Sequence, residues 1–172
     1  MKKLIFTLLL IINFVSAQND KIYKHNGETV EGTVVRLDEY TITFKYTNED
    51  AENVVGKYAI EKIVYGKSGR TEEITEKITI NGEDDWEKVV ILEDKAYIAG
   101  LKKGDEVRGK TGLINFQTGN TGDKKAEKKL KMEAAKLGCP FILLTADKAT
   151  VGANSNQLGG SQVIKKGVGY KY

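Results

Sequence analysis

Asp123 to Leu144 reads DKKAEKKLKMEAAKLGCPFILL, and it specifies a helix, its stop and the strand that follows. Asp123 is placed to cap the first turn, where a carboxylate accepts from amide hydrogens that lack partners inside the helix. Ala126, Leu130, Ala134 and Leu137 fall within about 80° of arc at ~100° per residue, so one narrow stripe is apolar. Gly138 suits the left-handed conformation that ends a helix, and Pro140 has no amide hydrogen with which to continue it. The spacing predicts a helix over Lys124 to Leu137. Phe141 to Leu144 is apolar on both faces of a period of two and predicts a buried strand. Lys124, Lys125, Lys128, Lys129, Lys131 and Lys136 occupy about 160° of arc on the opposite side of the helix. They form the candidate partner-binding face, suited to an envelope protein or an anionic surface, although a solvated helix has the same pattern.

Working outward, Trp86 opens Lys88 to Leu92, whose run Val89-Val90-Ile91-Leu92 is apolar on both faces and is expected at the centre of a sheet. Val163 to Tyr172 reads as a last strand after the polar loop Gly152 to Gln162. Gly104-Asp105-Glu106-Val107-Arg108-Gly109-Lys110-Thr111 matches the phosphate-loop pattern of nucleotide hydrolases. That chemistry needs a helix to open directly after the loop, and Gly112 to Gly119 has no helical stripe. Asp105 and Glu106 would also repel the phosphates, so the stretch reads as a turn at Lys103-Gly104-Asp105 and a short strand over Glu106 to Thr111. Glu83-Asp84-Asp85 lacks the alternating ligands of a calcium loop and reads as a solvated turn.

Upstream of a boundary at Gly66 to Thr71 the pattern changes to short strands. Tyr40 to Thr47 alternates, with Tyr40, Ile42, Phe44 and Tyr46 on one side. Asn26-Gly27 turns a hairpin between Lys21 to Lys24 and Glu28 to Leu37, and Gly32 allows that second strand to bend or to admit a neighbour closely. Asn53 to Tyr58 and Lys62 to Tyr65 complete about five strands, and so small a set protects its edges best by curling into a barrel. Tyr23, Tyr40, Tyr46, Tyr58 and Tyr65 are read as core and rim residues rather than a stacking face, and His25 as a solvated turn residue. Ile74 to Ile80 is a candidate strand within the connecting stretch 67–85.

Met1 to Ala17 has Lys2 and Lys3, a 12-residue stretch from Leu4 to Val15 that is mostly apolar, and Val15-Ser16-Ala17 before Gln18, the form of a secretory signal peptide. A membrane span needs ~20 apolar residues, and no cysteine stands at the cleavage point to carry a lipid. The expectation is a periplasmic or extracellular protein without a lipid anchor. Without that leader, 25 of the 27 Lys+Arg remain against 24 Asp+Glu, so the balance is near neutral and nucleic acid is not the expected partner. One histidine and one cysteine exclude an intrachain disulfide and a Cys/His zinc cluster. Cys139, beside the helix stop, is read as a packed thiol, and its one chemical option is a covalent dimer in an oxidising compartment.

Two resemblances accompany these readings. Asn26 to Val34 resembles the glycine-initiated hairpin of Sm-like and other SH3-like small barrels. Leu130 to Leu144, with Val168-Gly169-Tyr170, resembles the putative heavy-metal-binding domain family and the envelope stress-sensor lipoprotein of the Rcs phosphorelay. That likeness spans about Trp86 to Tyr172 and implies a helix ending in Ala-Ala-x-x-Gly against a strand, a glycine-containing edge strand, and an envelope role. The lipid-bearing cysteine, the disulfides and a soft-metal site do not carry over to a chain whose only thiol is Cys139. The resulting expectation is an α+β protein: a small β barrel at 18–66, a linker at 67–85, and an α/β domain at 86–172 with one main helix on a sheet. Its expected function is a non-catalytic envelope interaction or sensing module with no cofactor, metal or membrane span. The alternatives are a small-ligand binder and an enzyme whose carboxylates converge only in the fold.

Overall fold

The computed structural model describes residues 19–112, 119–151 and 161–172. The expected leader and most of the expected loop Gly152 to Gln162 lie outside the described residues. The chain is α+β, with two sheets and one long helix among the described residues.

The first sheet contains β1 (Asp20–Lys24), β2 (Thr29–Leu37), β3 (Thr41–Tyr46), β4 (Glu52–Gly56), β5 (Ile60–Val64) and β6 (Thr71–Glu73). Its order is β4-β3-β2-β1-β5-β6, antiparallel throughout. The hairpin between β1 and β2 turns at Gly27, with a φ of 92°, and the Asn26 side chain accepts from the Glu28 amide at 3.0 Å. At Gly32 a Cβ would stand 2.0 Å from the Lys45 carbonyl oxygen, so strands β2 and β3 meet there as closely as only glycine allows. Ile22, Val30, Ile42, Phe44, Val55, Ala59, Ile60 and Ile63 form one buried cluster inside this sheet.

The expected closed barrel is not what the strands form, because the pairing leaves β4 and β6 as separate edges of an open sheet. A short 3-10 turn at Lys57–Ala59 carries the chain from β4 to β5, and β6 takes the outer edge of β5 through Lys62↔Glu73 and Val64↔Thr71. Ile74 to Ile80 has no ladder pairing and runs as an irregular segment rather than a strand.

The second sheet contains β7 (Val90–Leu92), β8 (Lys102–Lys110), β9 (Phe141–Val151) and β10 (Ser161–Lys171), in the order β7-β9-β10-β8. β7 lies at the edge, parallel to β9, and not at the centre. Its run of apolar residues is needed for a different reason: two layers cover it, with Val89 in the cluster under the helix and Leu92 in the cluster on the other face. The glycine-containing last strand is central rather than an edge, since β10 pairs with both β9 and β8. Lys103-Gly104-Asp105 lies inside β8, where a bulge replaces the expected turn.

The helix α1 (Gly119–Lys136) starts earlier than its stripe predicts, so Asp123 sits inside it and is not its cap. Ala126, Leu130, Ala134 and Ala135 are fully buried. Leu137 lies past the last helical turn and is 36% exposed, while Ala135, about 160° round the helix from it at ~100° per residue, is buried in the cluster that Trp86 packs against. Gly138, at φ 64°, ends the helix as expected. The helix rests on β8 at Gly109, where a Cβ would fall 1.9 Å from the Ala126 carbonyl oxygen.

The far face of this sheet packs at one end against the first sheet. Leu92, Phe141, Leu143 and Tyr170 are buried there beneath Tyr58, Tyr97, Ile98 and Leu101. The stretch 67–85 also joins the halves: Ile78 donates its amide to the Tyr172 hydroxyl at 2.9 Å, and Lys77 Nζ donates to the His25 carbonyl at 2.9 Å.

Two substitutions test the docking of α1 by urea denaturation. Leu130→Ala should lower stability by about 2–5 kcal/mol. Gly109→Val should cost at least as much, because its clash is with backbone, and Gly27→Asn, at a turn with nothing near the new Cβ, should cost far less.

Candidate functional site

The six candidate lysines lie on α1 away from the sheet, but four of them are engaged within the chain. Lys128 Nζ stands 4.6 Å above the Trp86 ring, and Lys129 Nζ donates to the Lys110 carbonyl at 3.0 Å. Lys131 pairs with Glu127 at 3.7 Å and Lys136 with Glu83 at 3.0 Å. Lys124 and Lys125 are exposed and have no ion pair among the described residues. The lysine stripe is thus partly a fastening between α1 and the 3-10 segment Glu83–Lys88, and its free charge is concentrated in the first turns of the helix.

Of the acidic run Glu83-Asp84-Asp85, Glu83 makes this fastening to Lys136 and Asp85 braces the segment itself. Asp85 binds Lys88 at 2.6 Å and accepts from the Asn81 amide at 2.8 Å, and these bonds hold its carboxyl below the usual range. No group of three or more His, Cys, Asp or Glu side chains converges as a metal site among the described residues. The phosphate-loop-like residues Gly104 to Lys110 lie in strand β8, where extended backbone turns successive amides to opposite edges and Arg108 donates its own to Glu133, so they do not converge on a ligand.

His25 is not a solvated turn residue. It is 6% exposed, with Nε2 2.9 Å from the Thr75 hydroxyl and its ring edge-on to Tyr172 at 4.8 Å. Burial pushes its pKa below 6.5 and Lys77 adds to that, while Glu61 and the bond to Thr75 oppose it. Tyr172 in turn touches Phe141 at 5.4 Å, so this histidine belongs to the seam between the two sheets. Of the tyrosines, Tyr58 packs on Phe141, whereas Tyr40 and Tyr46 are exposed; Tyr40 stacks edge-on against Tyr97 at 4.4 Å.

Cys139 is fully buried, and burial raises its pKa. A Cβ on Gly169 or Gly104 would lie 2.7 or 3.2 Å from its sulfur. The thiol therefore fills a slot between two strands, and an interchain disulfide would require that slot to open.

One charged cluster escaped the sequence reading. Lys165, 7% exposed, binds Asp123 of α1 and Asp147 of β9, both at 2.8 Å. Burial works to lower its pKa, but the two carboxylates outweigh that and hold the ammonium form. The alternation Val163, Lys165, Gly167, Gly169 places Lys165 on the helix face and was a usable signal. Its partners were not, since they lie 42 and 18 positions away in the chain. A depression of about 450 Å³ on the first sheet is lined by Asn19, Lys21, Glu31, Val64, Tyr65, Gly66 and Gly69 and gathers no catalytic set.

No family model, curated protein or solved structure matches this chain. Among the described residues no helix is long and apolar enough to cross a membrane.

Two measurements test these environments. His25 is the sole histidine, and its lowered pKa means that the unfolded chain binds the extra proton first. Stability is therefore complete above the unfolded value of 6.5 and falls as the pH drops below it; the thermal midpoint should decline from pH 7.5 to 5.5, and His25→Gln should flatten that slope. For the charged cluster, Asp123→Asn combined with Asp147→Asn strands a buried ammonium and should cost up to about 3 kcal/mol in urea, more than Lys165→Met, which leaves carboxylates that water can reach.

Proposed function

We propose that this protein is a non-catalytic, exported interaction or sensing module of the cell envelope, which meets an acidic partner through the outer face of α1. The observation that supports this reading is the placement of Lys124 and Lys125, exposed and without an ion pair among the described residues, in the first turns of a helix whose opposite side is buried. Two such charges beside Lys128 and Lys129 create a local positive field that an acidic surface would relieve, with an affinity that falls as salt rises. The Trp86 to Tyr172 likeness to the stress-sensor domain gives the same class, and the leader-like Met1 to Ala17 gives the compartment. The five-stranded part of the first sheet, wrapped around one cluster, is the counterpart of the small barrel in this proposal and serves as a support for the second sheet.

The test is a pull-down from envelope extract at low salt with the chain lacking residues 1–17. A specific acidic protein should be retained and should elute as salt increases. Lys124→Glu with Lys125→Glu should reduce its retention at least about tenfold, with the circular dichroism spectrum unchanged. Equal retention by this variant would remove the helix face from the function.

A further inference from the structure

The side of the second sheet turned away from α1 has two halves that differ in what covers them. Near the β7 end, Phe141, Leu143, Val168 and Tyr170 lie under the tyrosines and loops of the first sheet. Toward the other end of β8 and β10, no described residue covers the sheet. Orientation there is settled by the alternate residues: Val107 and Gly109 pack against the helix, and Lys165 binds Asp123 of the helix, so Arg108, Lys110 and Lys166 point the opposite way. All three are exposed.

Their register is unusual. Arg108 stands directly opposite Lys166 across the β8–β10 ladder, and Lys110 opposite Ile164. Like charges facing each other on one sheet face destabilise it, and acidic neighbours ordinarily neutralise them. None of these three side chains has an ion pair among the described residues. The acidic residue on the same face is Glu106, opposite Val168, and it pairs with none of them. On the first sheet the cross-strand and neighbouring charges Lys21 with Glu31, Lys62 with Glu61 and Arg70 with Glu72 are of opposite sign and paired. Here, by contrast, the facing pair on strands about 4.8 Å apart is of like sign, and Lys110 adds a third cation two residues along the same face.

We infer that this face, carrying Arg108, Lys110 and Lys166 with half-buried Ile164 between them, docks on the anionic phospholipid headgroups of a bilayer. Charge complementarity selects an anionic occupant. The placement selects an extended one: the three cations stand at exposed positions along two paired strands, with no described residue rising over them. An acidic peptide adding as a further strand would need the free edge of β8, and α1 already occupies that edge beside the cations. Glu133 of α1 accepts the Arg108 amide at 3.0 Å, and Lys129 donates to the Lys110 carbonyl at 3.0 Å. A row of headgroup phosphates needs no backbone pairing, and the Arg108 guanidinium can hold one of them with two hydrogen bonds. This surface lies across the sheet from the lysines of α1 and does not depend on their having a partner.

The experiment is co-sedimentation of the chain lacking residues 1–17 with vesicles of phosphatidylglycerol and phosphatidylcholine, against vesicles of phosphatidylcholine alone, at low and at physiological salt. Binding to the anionic vesicles alone, weakened by salt, is expected. Arg108→Gln, Lys110→Gln and Lys166→Gln together should reduce it about a hundredfold, roughly fivefold for each cation. Lys124→Glu with Lys125→Glu should leave most of the binding intact, which separates this surface from the helix face. The triple variant should melt at the same temperature as the parent or higher, because a like-charge pair has been removed. Undiminished vesicle binding by the triple variant would overturn the inference. So would a lowered melting temperature, which would assign the cations to the fold, or tighter capture by immobilised polyglutamate than by the anionic vesicles.

Discussion

The paired stretches Phe141 to Leu143 of β9 and Val168 to Tyr170 of β10 have to bury both of their faces at once, and the rest of the molecule is arranged around that requirement. One face is closed by α1, which approaches so closely that its backbone touches β8 at Gly109. The other is closed at one end by Tyr58, Tyr97 and Leu101, delivered by the first sheet and the segment after β7. Phe141 is the point where these layers meet, fully buried between strands and in ring contact with both Tyr58 and Tyr172. A strand with two apolar faces cannot be left half covered without exposing a large side chain to water, so the two sheets are held together by the same force that forms each core.

Charge follows from that layering. Where a cation is forced inward, as at Lys165, two carboxylates from different elements enclose it. Where α1 meets the Glu83–Lys88 segment, Lys128 and Lys136 are bound to Trp86 and Glu83. Clusters of cations without an ion pair among the described residues stand in the first turns of α1 and on the uncovered half of the second sheet. Such positions cost stability through repulsion and return nothing to the fold, which is why both are the places where a partner is argued.

Much of this was legible beforehand, and the misses have a common cause. The stop of α1 at Gly138, the strand at Phe141 and the hairpin at Asn26-Gly27 are local events, decided by positive φ, by a missing amide hydrogen and by side-chain period. Reading Glu106 to Thr111 as a strand rather than part of a phosphate cradle was also local, because Asp105 and Glu106 oppose phosphate, although the turn expected at Lys103-Gly104-Asp105 is a bulge within β8. Three expectations failed where a distant element intervened. His25 looked like a turn residue because Thr75 and Tyr172, which bury it, are 50 and 147 positions away. Val89 to Leu92 looked central because coverage by layers and coverage by neighbouring strands leave the same apolar run. The barrel remained open because β6, drawn from the connecting stretch, occupies the edge of β5.

Of the candidate surface, the lysine stripe on α1 could be read from its 100° spacing, but not which lysines remain free. That division depends on Trp86, Glu83 and the end of β8, all brought to the helix by folding. The juxtaposition of Arg108 with Lys166 was invisible for the same reason, since register between strands 58 residues apart is set by packing on both faces of the sheet and not by either strand alone. The sequence by itself determined the helix, most strand positions, the α+β class and the absence of paired cysteines, because each depends on contacts within a few residues or on composition. The tertiary structure alone decided which strands are edges, which ionisable groups are buried and which charges lack partners, because burial and pairing are properties of surfaces formed only when distant segments meet.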